Sequence, residues 1–201
     1  MGYSPNMEKA QETGKRILQA AEELFGRYGF AKTTMAEIAG RCDMSAANIY
    51  RFFKNKDEIV AEMAHSYFRK VETSLRAVVK KSGPTASERL EEFVVEMLSH
   101  SHNLCSCEEK MNESVGYIIG RRGDLIERHQ EAMRSLLAEV LAEGNRSGEF
   151  DVADVVQTAG VILDATFMYQ TQGCVGNFSL DDLKQSAVRM VRVIVTGLRK
   201  G

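Results

Sequence analysis

This sequence has no excess of positive charge: 26 Lys and Arg stand against 28 Asp and Glu, a formal net charge of -2 at pH 7 over 201 residues. A general polyanion binder is thereby excluded. Any contact with nucleic acid has to come from a few residues in a fixed arrangement. No run of about 18 apolar residues is present, so nothing reads as a membrane span, and no charged start followed by an apolar block reads as a secretory signal. The expectation is a cytoplasmic protein with no membrane partner. Its four cysteines are then thiols, because disulfides do not persist in a reducing compartment. Also missing are a nucleophile elbow, a phosphate loop and a spaced carboxylate pair, and with them the grounds for reading an enzyme. The length suffices for one large or two modest domains with a real core.

The most informative stretch is TMAEIAGRCDMSAANIYRFFKNK, residues 34–56. Thr34 and Glu37 stand at the T-x-x-E spacing that lets each side chain satisfy a free backbone N–H at a helix start. A short helix should begin near Met35, bury Met35, Ile38 and Ala39, and stop around Arg41. Cys42, Asp43 and Met44 form the turn, and Ser45 caps a second helix. Two short helices joined by such a turn form the unit whose second helix enters a DNA major groove. Its outward face would be Ala46, Ala47, Asn48 and Arg51, with Ile49, Phe52 and Phe53 on the apolar side. Asn55 and Glu58 repeat the capping pattern, which puts Lys56 in the first turn of a third helix, where the dipole disfavours a cation. A DNA phosphate nearby would account for it.

Thr34-x-x-Glu37-Ile38-Ala39, Met44-Ser45, Ile49-Tyr50-Arg51-Phe52-Phe53 and Lys56-Asp57-Glu58 together resemble the TetR family of transcriptional regulators. The likeness extends back through Ile17, Ala20, Leu24, Phe25, Gly29 and Phe30, and covers roughly residues 13–62. One position departs from the family: Asp43 stands where members usually carry glycine. That turn position requires positive φ, which aspartate adopts at modest cost, so a slightly strained but intact turn is expected.

The resemblance implies an all-α protein with a three-helix DNA-binding domain, residues 1–55, joined through a long helix to a larger ligand-binding and dimerisation domain, residues 56–201. It implies phosphate contacts from Thr34, Ser45, Tyr50 and Lys56 and base contacts from Ala47 and Asn48. Asn48 has the donor and acceptor to pair bidentately with adenine. A homodimer through the last two helices and an inducer pocket among the middle helices are implied as well.

Residues 1–8 show no periodicity and read as a frayed arm. Helical spacing of Ile17, Leu18, Ala21, Leu24, Phe25 and Tyr28 gives a first helix from about Lys9 to Tyr28. Gly29 closes it in a left-handed cap, and Phe30 with Ala31 should fold under the motif. From Lys56 the apolar pattern persists to about Lys81, nearly 40 Å of helix at about 1.5 Å per residue. Ser82-Gly83-Pro84 ends it, and Thr85 with Glu88 caps the next helix, carrying Leu90, Phe93, Val94, Met97 and Leu98. Residues 99–110 read as a junction holding His100, His102, Cys105 and Cys107. Those four are the only metal-like cluster, but their spacing is poor for zinc. No bound metal or cofactor is expected, with a metal- or thiol-responsive regulator as the alternative.

Val115, Ile118 and Ile119 suggest a further helix, closed by Gly120 to Gly123. Asp124 should cap one that ends at Gly144, followed by a turn to Gly148. Arg121 and Arg122, just past a helix end, read as solvated and dipole-complementing rather than ligand-binding. Asp151 should open the most apolar helix, which reaches about Gly173, and Ser179 should cap the last. Two helices this apolar need cover on more than one face, which a four-helix bundle formed by two subunits would supply. Asp164, inside the first of them, reads as a buried carboxylate, either at a dimer seam or as counter-ion to a ligand. Phe93, Met97, His100, Tyr117, Phe167 and Met168 are the side chains available to line an inducer pocket. Their methionine content points to a hydrophobic ligand.

The functional expectation is a homodimeric repressor, released from a palindromic operator by a small hydrophobic ligand. The rival is a helical adaptor that binds a protein partner without DNA.

Overall fold

The computed structural model describes residues 5–105, 116, 120–170 and 177–199, with the backbone alone at 5–7 and 105. All regular elements among these residues are helices: α1 (Pro5–Tyr28), α2 (Met35–Arg41), α3 (Ala46–Ile49), α4 (Lys56–Lys80), α5 (Ala86–Cys105), α6 (Gly123–Ser147), α7 (Val155–Ala165), a 3-10 turn (Phe167–Gln170) and α8 (Leu180–Leu198). The chain divides into two compact units, Met1–Tyr67 with Cys107–Leu125, and Phe68–Ser106 with Ile126–Gly201.

In the first unit α1 packs on α2, and α2 on α3. Ile17, Phe25, Ile38, Ile49 and Ile59 have no exposed surface, so each helix contributes an apolar side chain to one small core. The first helix begins at Pro5, earlier than the periodicity from Lys9 suggested and inside the stretch read as a frayed arm. Proline suits a first helical position because it brings no N–H that would lack a partner there. Gly29 ends α1 at φ 85°, its N–H donating to the Phe25 carbonyl at 2.8 Å, as expected for a left-handed cap. Phe30 turns inward to meet Phe25 at 5.4 Å between ring centroids, while Ala31 is exposed rather than folded under.

In the second unit α5 packs extensively along α8 and also against the 3-10 turn. The seam is apolar on both sides. Leu90, Phe93, Val94, Met97 and Leu98 are buried on α5, and Leu183, Ala187, Val191 and Val195 form a stripe at every fourth residue of α8. Helix α6 buries Met133, Leu136, Leu137, Val140 and Leu141.

Several boundaries differ from those read in the sequence, each for a local reason. Helix α5 runs through Cys105, so residues 99–105 are helix and not junction. Their polarity is absorbed along the helix itself, the hydroxyls of Ser99 and Ser101 donating to the carbonyls of Val95 and Met97 at 2.7 and 3.2 Å. Helix α6 starts at Gly123, so Asp124 is a first-turn residue rather than a cap. It takes a two-pronged contact from Arg122, at 2.8 and 2.9 Å. The same helix continues past Gly144 to Ser147 because the left-handed residue that ends it is Gly148, at φ 76°; Gly144 stays helical under the Phe150 ring, where a Cβ would stand 2.1 Å from Phe150 Cδ2. Helix α7 starts four residues later than Asp151, at Val155. There Asp154 accepts from the N–H groups of Val156 and Gln157, while Asn145 holds Val152 by both its N–H and its carbonyl. Of the helix expected from Val115 to Ile119 only Gly116 is described, and it is helical; the rest of that helix and the stretch from 171 to Gly173 lie outside the described residues.

Candidate nucleic-acid interface

The helix-turn-helix is built from caps. Thr34 Oγ1 accepts from the Glu37 N–H at 3.2 Å while Glu37 Oε2 accepts from the Thr34 N–H at 2.7 Å, so both halves of the expected capping box are made. The Thr34 hydroxyl also donates to Glu37 Oε2 at 2.8 Å, and that bond first, then the one from the Thr34 backbone, holds the Glu37 carboxyl below its usual range. A fixed negative charge at the start of α2 follows.

Helix α2 ends in a pair of bonds that a left-handed residue makes possible: the Met44 N–H donates to the Ala39 carbonyl at 3.0 Å and the Asp43 N–H to Gly40 at 3.2 Å. Asp43 supplies that conformation at φ 55°, the only non-glycine positive φ among the described residues. The turn is intact. It is also clamped from the first helix, a feature the sequence reading missed. Arg16 Nη2 donates to the Cys42 carbonyl at 3.0 Å, and the Cys42 thiol donates to the Arg16 carbonyl at 3.5 Å. Burial pushes the Cys42 thiol above its ordinary pKa, partly opposed by the nearby Arg16 charge. Thr33, also missed, is buried with its hydroxyl on the Gly29 carbonyl at 2.9 Å. Neither residue carries a periodic or motif signal, since each acts through a bond to backbone that only the folded turn brings near.

Ser45 caps α3 through the Asn48 N–H at 3.2 Å. Helix α3 is a single turn, carried on by bonds from Arg51, Phe52 and Phe53 to the carbonyls of Asn48 and Ile49. Its buried residue is Ile49; Ser45, Ala46, Ala47, Tyr50 and Arg51 are exposed and Asn48 is half-buried. Tyr50 leaves 53% of its surface in solvent, a large aromatic with no core role. These residues share one outward face, with small alanines that let the backbone approach a surface closely.

Lys56 is placed differently from its neighbours. Its ammonium donates to the Phe30 carbonyl at 2.5 Å and lies 4.5 Å from the centre of the Phe30 ring. The carbonyl and ring, with the Glu37 charge nearby, offset an otherwise poor position in the first turn of α4. That helix is capped by Asn55, which accepts from the Glu58 N–H at 2.9 Å, while Glu58 reaches back to the N–H of Lys54 instead of Asn55.

Residues 17–63 match the family model of bacterial regulatory proteins, tetR family, and residues 86–191 match the tetracyclin repressor-like C-terminal domain. The chain belongs to the TetR family. It is accordingly a DNA-binding transcriptional regulator and not an enzyme. Among curated relatives it is 32% identical over 95 residues to the probable HTH-type transcriptional regulator YttP of Bacillus subtilis, an alignment spanning 45% of this chain and 44% of that one. It is 25% identical over 151 residues to the uncharacterized regulator YhgD of the same organism, spanning 74% and 78%. The fold matches a TetR-family regulator structure from Mesorhizobium loti with a TM-score of 0.77 at 17% identity, covering 95% of this chain and 98% of that one.

The second-unit residues named from the sequence do not form one group. Phe93 and Met97 are buried in the α5 seam, whereas Phe167 and Met168 are 58% and 43% exposed. Asp164 is exposed, not buried: on α7 it falls beside the exposed Ala165 and away from the buried Ala159 and Ile162. His100 is half-buried, its Nε2 3.3 Å from Glu96 Oε1. Glu96 Oε1 also accepts from the Ser74 hydroxyl. Tyr117, the Cys105 side chain and Cys107 lie outside the described residues. Among the described residues no three His, Cys, Asp or Glu side chains gather as a metal site, and no helix is long and apolar enough to cross a membrane. A buried aromatic that the sequence reading passed over, Tyr169, anchors the 3-10 turn, its hydroxyl 2.9 Å from Ser186 Oγ.

Proposed function

We propose that this TetR-family protein is a homodimeric repressor that reads a palindromic operator through α3 and leaves it when a small hydrophobic molecule binds the second unit. The observation that carries the DNA reading is the exposed face of Ser45, Ala46, Ala47, Tyr50 and Arg51 beside a core that needs none of them. Thr34, Ser45 and Tyr50 would hold phosphates, and Ala47 and Asn48 would face base edges. Lys56 would add a phosphate contact by turning from the Phe30 carbonyl.

Dimerisation is supported by apolar side chains that one subunit leaves in solvent: Val156 and Val161 on α7, Phe167 and Met168 on the 3-10 turn, and Val193 on α8. A second copy would cover such a surface. Response to a ligand would reach α3 along α4, which carries the chain from one unit into the other without a break. The ligand has to bind the two arrangements with different affinity, or nothing shifts. A site drawing on Phe93 and Met97 would open the α5 seam.

The test is Tyr50→Ala. Operator affinity falls roughly tenfold or more, the scale of a lost hydrogen bond to a charged group, while helical content and melting temperature hold. Unchanged affinity in a folded variant removes Tyr50 from the interface.

A further inference from the structure

We infer that the second unit carries an anion site, a cavity of about 340 Å3 between the ends of α4 and α6 and the start of α5, which takes a small molecule bearing a phosphate or carboxylate group with Arg89 as its anchor. Its charged lining is Lys80, Lys81, Arg89 and Arg146 against Glu139 and Glu143.

Three of the four cations have a reason to be there without any ligand. Lys80 and Lys81 close α4 and Arg146 lies in the last turn of α6, where helix dipoles favour positive charge. Each also has a carboxylate: Lys80 meets Glu139 at 2.7 Å, Lys81 meets Glu92 at 2.8 Å, and Arg146 pairs with Glu143.

Arg89 has neither justification. It lies in the first turn of α5, where the dipole disfavours a cation, and among the described residues its side chain has no hydrogen bond or ion pair. Its Nε is wholly buried without an acceptor. A buried donor of a charged group left unpaired is costly. Glu143 feels the Arg89 charge only at a distance and is held below the usual carboxylate range mainly by its bond to Arg146. The neighbouring turn shows how this end of α5 treats anions: the Glu149 carboxylate takes the N–H groups of Ala86 and Ser87, at 2.8 and 3.0 Å. Ser87 Oγ, buried there, is also without a partner. A carboxylate or phosphate entering the cavity would give the Arg89 fork the bidentate partner that the chain withholds. The exposed ends of Lys80 and Arg146 would supply further charge.

This site is independent of the repressor reading, and its test uses no DNA. The full-length protein is titrated calorimetrically with inorganic phosphate and, separately, with citrate, at one ionic strength held by sodium chloride. Saturable binding of either is expected, and whichever binds tighter identifies the headgroup. Arg89→Gln should weaken it at least tenfold, Arg146→Gln severalfold, and Glu139→Gln should tighten it about twofold by freeing Lys80. Because the Arg89 Nε is buried, the variants Arg146→Gln, at an exposed residue, and Glu139→Gln, at a half-buried one, carry the test if Arg89→Gln melts early. No saturable heat in the wild type, or heats that Arg89→Gln and Arg146→Gln both leave unchanged, overturns the assignment.

Discussion

The two units hold their helices by different means. In the first, helices of seven and four residues are far too short to stand alone, and they persist because caps and turns satisfy nearly every end. Thr34 with Glu37, Ser45 with Asn48, and the αL residue Asp43 act over three or four residues of sequence. The second unit is held by seams between residues far apart in the chain, such as α5 against α8, with Arg192 reaching Glu91 across 101 positions at 3.1 Å. Local chemistry therefore specifies the first unit, while shape complementarity specifies the second. The first can keep its outward face small and exposed, because its core does not depend on those side chains.

That contrast is broken most sharply by a core truncation. Phe93→Ala, at a side chain with no exposed surface, should destabilise the protein by about 3–5 kcal/mol in urea unfolding. A loss no larger than that of a cap would mean the α5 seam is not the mainstay of its unit. Next comes Gly144→Ala. Its methyl has to displace the Phe150 ring, and about 1–3 kcal/mol is expected. A neutral result would show that Phe150 can step aside freely.

These seams explain what the sequence disclosed and what it withheld. Thr34, Glu37, Ser45, Asn55 and Ser179 announce their helices because a cap needs only its own chain within three residues. The face of α3 was legible for the same reason. That Asp164 is exposed in a single subunit could not be read beforehand, because periodicity shows that a helix has an apolar stripe but not where on its circumference a polar residue falls once the packing partner is chosen. Nor could residue spacing reveal that α6 would pass Gly144 and stop only at the left-handed Gly148, or that Ser99 and Ser101 would bond back along α5. Lys56 was legible as an anomaly, a cation at a helix start. Its partner Phe30, 26 residues earlier, was not.

Smaller effects probe the local side of the comparison. Thr34→Ala should cost about 1 kcal/mol in the same unfolding assay, since it removes one half of a box whose other half, Glu37, remains. Equal loss in Glu37→Ala would show the two halves act as a unit. Asp43→Gly should run the other way, stabilising by roughly 0.5 kcal/mol through relief of the αL conformation. A destabilised glycine variant would mean the aspartate side chain contributes more than its strain removes.

A titration sharpens the non-local side. His129 on α6 bonds Glu72 on α4 at 2.8 Å and stacks on Phe68 with centroids 4.3 Å apart. Burial holds its pKa below the ordinary histidine value, partly opposed by Glu72. The unfolded chain therefore takes up a proton first as pH falls, so stability present above about pH 6.5 declines below it. His129→Gln should flatten that decline in unfolding curves measured between pH 7 and pH 5. An unaltered pH profile would exclude His129 as its source.

In the proposed reading a few positioned residues, not bulk charge, take this protein to DNA: the first 60 residues hold nine Lys and Arg against eight Asp and Glu. The most direct measurement is the salt dependence of binding to the DNA upstream of its own gene. Saturable binding whose logarithm falls with log salt at a slope of about -2 to -5 is predicted, as for a dimer neutralising only a few phosphates through residues such as Arg51 and Lys56. No binding at any salt, or a slope near -10 with equal affinity for unrelated DNA, would contradict it.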